Sequence, residues 1–119
     1  MEIGFFNPHP RLRHFLSPPS HVSLLFLNAD VLRANGRNVE AEAALRAATR
    51  ADPMFAEAWY NLSDLLDHQG QSEAALDCLR RALQAAPDYA DAMFNLALLL
   101  QRNNKHAEAA EYWRRYLAQ

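Results

Sequence analysis

A single cysteine, Cys78, stands in the 119 residues, so no disulfide can close within the chain. Such usage suits a reducing compartment, and a cytoplasmic location is expected. Long apolar runs are also missing. The longest is Leu96–Leu100, against about 20 residues for a membrane-spanning helix. The start of the chain is interrupted by Pro8, Pro10, Pro18 and Pro19 and has no long apolar core behind a basic end, so no secretory leader is expected. The net charge of −2 offers no basic footprint for nucleic acid. Only three glycines occur, and none builds a phosphate loop or a serine elbow. His9, His14, His21, His68 and His106 lack the paired helical spacing of metal ligands, and no base stands near Cys78 in the sequence. Neither a metal, nor a cofactor, nor a catalytic constellation is expected, so the chain reads as a binder rather than an enzyme.

What is present is repetition. Ala-Glu-Ala-Trp-Tyr-Asn-Leu at 56–62 returns 34 residues later as Ala-Asp-Ala-Met-Phe-Asn-Leu at 90–96. Gly36 and Gly70 keep the same spacing, as do Pro53 and Pro87, the series Ala41, Ala75, Ala109, and the series Phe26, Tyr60, Phe94. A fixed period of this length marks a stack of like units, each unable to bury its apolar face alone.

Each unit reads as helix, short turn, helix, with no strand-like alternation and a composition rich in helix formers. Expected helices are Val22–Asn35, Val39–Ala51, Met54–Gln69, Ser72–Ala86, Tyr89–Arg102 and His106–Ala118. Gly36, Gly70 and Asn103-Asn104 are the expected left-handed stops after each first helix. Asp52-Pro53 and Pro87 end the second helices, because proline disfavours helical backbone in the residue before it. Ser72 with Glu73 behind it is a start signal for the fourth helix. Residues 1–21 differ: they hold four of the six prolines and no helical period. They are expected to form an irregular arm that covers the end of the first helix pair, binds a partner, or is a cloning or gene-boundary remnant. Charge concentrates in the middle unit, 56–89, where Glu57, Asp64, Asp67, Glu73, Asp77 and Asp88 face only Arg80 and Arg81. That excess disfavours an acidic ligand there.

In register, these residues closely resemble the tetratricopeptide repeat. Counted from Ala56 the pattern is met by Trp59, Leu62, Ser63, Leu66, Gly70, Ala75, Leu79, Ala82 and Pro87. Counted from Val22 it is met by Leu25, Ala29, Leu32, Gly36, Ala41, Leu45, Ala48 and Pro53, with Asn28 departing from the usual leucine. Counted from Ala90 it is met by Met93, Leu96, Ala97, Leu100, Ala109 and Trp113, with Tyr116 where an alanine is usual. The resemblance covers residues 22–119 as repeats 22–55, 56–89 and 90–119. It implies an all-α fold, a right-handed α-solenoid of three antiparallel helix pairs. Alanines would sit where the helices of a pair cross, since a larger side chain would push the axes apart.

The same resemblance implies a concave groove lined by positions 2, 5, 6, 9, 12 and 13 of each first helix. Repeat 1 supplies Ser23, Phe26, Leu27, Asp30, Arg33 and Ala34. Repeat 2 supplies Glu57, Tyr60, Asn61, Asp64, Asp67 and His68. Repeat 3 supplies Asp91, Phe94, Asn95, Leu98, Gln101 and Arg102. Phe26, Tyr60 and Phe94 then form an aromatic row that either touches a ligand or packs between repeats. Asn61 and Asn95 form a shorter row that either holds a peptide backbone, as in the sugar-transferring members, or bonds helix to helix. Members that grip acidic chaperone tails use lysine and asparagine where this chain has Phe26 with Asp30 and Tyr60 with Asp64. The expected guest is therefore a basic or apolar peptide or protein segment. Two wider settings stay open: the C-terminal module of a bacterial MerR-type transcription regulator, and the repeat segment of a larger enzyme such as a glycosyltransferase. Tyr112, Trp113, Tyr116 and Leu117 leave an apolar end, which belongs either to a longer array or to pairing of the last helix with another copy.

Overall fold

The computed structural model describes residues 20–119, and these form six helices. In chain order they are α1 (His21–Ala34), α2 (Asn38–Ala51), α3 (Ala56–His68), α4 (Ser72–Ala85), α5 (Ala90–Arg102) and α6 (His106–Leu117). No strand occurs among the described residues. Packing is closest within the pairs α1–α2, α3–α4 and α5–α6, then between α2 and α3 and between α4 and α5. Each pair thus touches its neighbours in sequence, the one-dimensional arrangement the period implies.

The turns inside the pairs are built alike. Gly36, Gly70 and Asn104 take φ of 75°, 80° and 62°. In each case the next residue donates back across the turn: Arg37 N–H to the Leu32 carbonyl (2.8 Å), Gln71 to Leu66 (2.9 Å) and Lys105 to Leu100 (2.9 Å). These are Schellman closures, which satisfy carbonyls that the helix end would leave bare. Asparagine fills the left-handed position in the third pair, as its tolerance of that backbone allows.

Turns between the pairs follow the prolines. Asp52 and Ala86 both have φ of −140°, the extended backbone that a following proline enforces. Pro53 and Pro87 then occupy tight turns, closed by Phe55 N–H to the Asp52 carbonyl (3.1 Å) and Tyr89 N–H to the Ala86 carbonyl (3.0 Å). Those turns delay the helices, so α3 and α5 begin at Ala56 and Ala90 rather than at Met54 and Tyr89. Ser72 is the first residue of α4, as expected, while the cap position is Gln71 and no side chain caps the end. Among the described helices only α1 has a side-chain N-cap, Ser20, whose Oγ accepts from the Ser23 amide at 3.1 Å. Ser20 and His21 therefore belong to the first helix, and the rest of the expected arm lies outside the described residues.

The core runs between the two helix layers. Ala41 and Ala48 in α2, and Ala75 and Ala82 in α4, are fully buried, as are Ala29 and Ala97 on the facing first helices. Leu45, Leu62, Leu66, Leu76, Leu96, Leu100 and Phe55 fill the space between pairs without measurable exposure beyond 1%. Small residues let the axes approach, and large ones fill the gaps that remain.

Candidate functional site

The three first helices, α1, α3 and α5, lie side by side and are joined by their own groove-side polar residues. Arg33 donates to Asp64 in a direct ion pair. Asn61 Nδ2 donates to Asp30 Oδ1 at 3.3 Å. Asn95 Nδ2 donates to the Tyr60 hydroxyl at 3.0 Å, and Arg102 holds both Asp67 oxygens at 3.0 and 2.9 Å. His68 Nδ1 donates to the Asp64 carbonyl at 2.8 Å. The structure thus brings together Asp30, Arg33, Tyr60, Asn61, Asp64, Asp67, His68, Asn95 and Arg102. Both asparagines make the helix-to-helix bond, each spending one of an amide's two N–H groups.

The aromatic row divides. Phe26 takes the packing alternative: only 5% exposed, it lies tilted against Phe55 with centroids 4.8 Å apart and belongs to the core. Its neighbour Ser23 is buried as well. Tyr60 is half-buried, 5.2 Å from the Tyr89 ring. Burial, then the Asp91 charge, push its hydroxyl above the usual tyrosine range, while the Asn95 bond pulls the other way. The hydroxyl stays protonated at neutral pH. Phe94 is 40% exposed, with Trp113 meeting it edge-on at 5.4 Å and Tyr116 tilted against it at 5.5 Å. These two α6 rings are the partners that groove counting missed. Their signal was size, since Trp113 and Tyr116 replace the leucine and alanine of the other repeats.

Between α3 and α5 lies a cleft of about 180 Å³ lined by Ser63, Asp64, Asp67, Leu79, Asn95, Leu98, Leu99 and Arg102. A second, more open one between α1 and α3 is lined by Asp30, Arg33, Ala34, Asn38, Leu65 and His68. Both carry polar residues and leucine in their lining, and the second, about 440 Å³, is the larger of the two. Leu27 and Leu98 stand exposed beside them. Gln101 is drawn aside, its Oε1 accepting from Trp113 Nε1 at 3.0 Å. Glu57 and Asp91 sit in the first turns of α3 and α5, where a negative charge suits the helix dipole.

No group of three metal-ligating side chains exists among the described residues, and no described helix is long and apolar enough to cross a membrane. Cys78 is buried in α4, and burial pushes its thiol up to about 11. A thiol held protonated is a poor nucleophile.

A family model described as tetratricopeptide repeat matches residues 26–90 and 68–119. No curated protein matches the chain. Among solved structures, one described as MamA is 26% identical with a TM-score of 0.76, over 82% of this chain and 57% of its own. MamA from Desulfovibrio magneticus RS-1 is 23% identical with a TM-score of 0.74, over 83% of this chain and 56% of its own. The chain spans little more than half the length of these relatives. The shared fold is an all-α solenoid of stacked helix pairs, as the repeat implies.

Proposed function

The chain belongs to the tetratricopeptide repeat family, and from that membership we propose that it is a scaffold holding an extended, basic or apolar protein segment along α1, α3 and α5. The family supports protein interaction in general, and the character of the guest is our reading. One observation carries it. The half-exposed Phe94 and Tyr60 rings lie beside a cleft whose rim holds Asp64 and Asp67. An apolar side chain would rest on the rings, and a lysine or arginine would enter in competition with Arg33 and Arg102, which pair one to one with Asp64 and Asp67, while Asp30, held by the Asn61 amide, is the excess acid. A carboxylate-rich tail would meet Asp30, Asp64 and Asp67 and be repelled.

A panel of fluorescent extended peptides, basic, apolar and acidic, titrated by anisotropy tests this. Basic or apolar members should bind and acidic ones should not. Phe94→Ala should weaken binding about 10-fold or more, the scale of a hot-spot aromatic, with the helical signal kept. Equal binding of all three classes, or none, would sink the reading. The two wider settings, regulator module or enzyme segment, differ in what the flanking gene encodes, and its sequence separates them.

A further inference from the structure

The first and last helix pairs each present an uncovered apolar face. Inside the chain, positions 3 and 10 of each first helix are covered by the preceding pair: Ala58 and Leu65 in repeat 2, and Ala92 and Leu99 in repeat 3, are at most 3% exposed. Their equivalents in repeat 1, Leu24 and Val31, are 56% and 58% exposed. At the other end, position 28 is buried in the first two repeats, as Thr49 and Leu83, and is Leu117 in the third, 78% exposed.

The repeat's own contact register says what fits. Position 9 of one first helix meets position 6 of the next, as Asp30 meets Asn61. Position 5 also meets position 6, as Tyr60 meets Asn95. Position 12 meets position 9 or 13, as Arg33 meets Asp64 and Asp67 meets Arg102. Set repeat 1 of a second copy after repeat 3, and Leu98 and Phe94 meet Leu27. All three are exposed apolar residues in the single chain. Position 12 brings Gln101, an uncharged amide, to Asp30 and Ala34, with no like charges opposed. We propose that copies of this chain stack head to tail through these faces, continuing the solenoid from one molecule into the next. The contact joins two different surfaces, so it does not close on a pair and adds copies past the dimer, as an open filament unless its rotation closes a ring.

Sedimentation velocity across a concentration series tests this on the full chain. The wild type should grow in steps of 13.5 kDa past the dimer. Leu24→Glu with Val31→Glu blocks the first face, and Leu98→Glu with Leu117→Glu blocks the last. Each double variant alone should be monomeric, with its helical signal intact. Mixed together, the two should give a discrete pair and nothing longer, because one live face of each kind remains. A wild type monomeric throughout would overturn the proposal. So would a first-face variant that still dimerises, which is the mark of α6 pairing with α6. If the acidic variants lose helix, cysteine pairing replaces them. Chains carrying Leu27→Cys and chains carrying Leu98→Cys should cross-link with each other under oxidation far more than either does with itself. Equal cross-linking in all mixtures would reject the register.

Discussion

Gly70 has φ of 80° with no heavy atom within 4 Å of where a Cβ would stand, so the backbone alone resists a side chain there. Gly70→Ala should cost about 1 kcal/mol, the usual left-handed penalty. Asn104→Gly should stabilise by a few tenths, both read by urea unfolding. Cys78 gives a pH effect with a definite sign. Burial raises the folded thiol from 9.0 to about 11, so between those values the unfolded chain has released a proton that the folded chain keeps. Stability should therefore be complete below about pH 9 and fall as pH rises towards 11. In Cys78→Ala that part of the slope should vanish. The left-handed stops were legible residue by residue, because glycine and asparagine are chosen by the backbone itself. Phe26 was not. Position counting assigns a face, and the Phe55 ring that buries it comes from the turn into the next repeat.

At the scale of helices, the crossing alanines set the spacing of each pair. Ala82→Leu would place extra volume at a fully buried position of α4 and should destabilise by about 1–3 kcal/mol. The polar bridges matter less to stability. Arg80 holds Glu108 through both oxygens, joining α4 to α6 with each side chain about one-third exposed or more. A double-mutant cycle on this pair should return less than about 1 kcal/mol. Helix existence and order could be read from period alone. The starts of α3 and α5 could not, since Pro53 and Pro87 each serve a turn before the helix as well as a stop after the last one. Nor could the bonding of Asn61 and Asn95, which depends on the reach between helices of different repeats.

For the whole molecule, contacts only between neighbouring pairs make the middle pair the best supported. Amides of α3 and α4 should exchange with solvent more slowly than those of α1 or α6 in native-state hydrogen exchange, by about 10-fold or more. Uniform protection across all six helices would mean the stack melts as one body. The peptide groove and the end faces are properties at this scale. The sequence marked their residues, and their assembly needed the register between repeats.

That register also gives the repeats a fixed word order. Arg33 is answered by Asp64, and Asp67 by Arg102, so the polarity of the bridge reverses from the first junction to the second. Duplicate the middle repeat and Asp67 would face a second Asp64. Delete it and Arg33 would face Arg102. A chain whose units share one shape therefore still marks their order, because either change would set like charges across a junction that now pairs opposite ones.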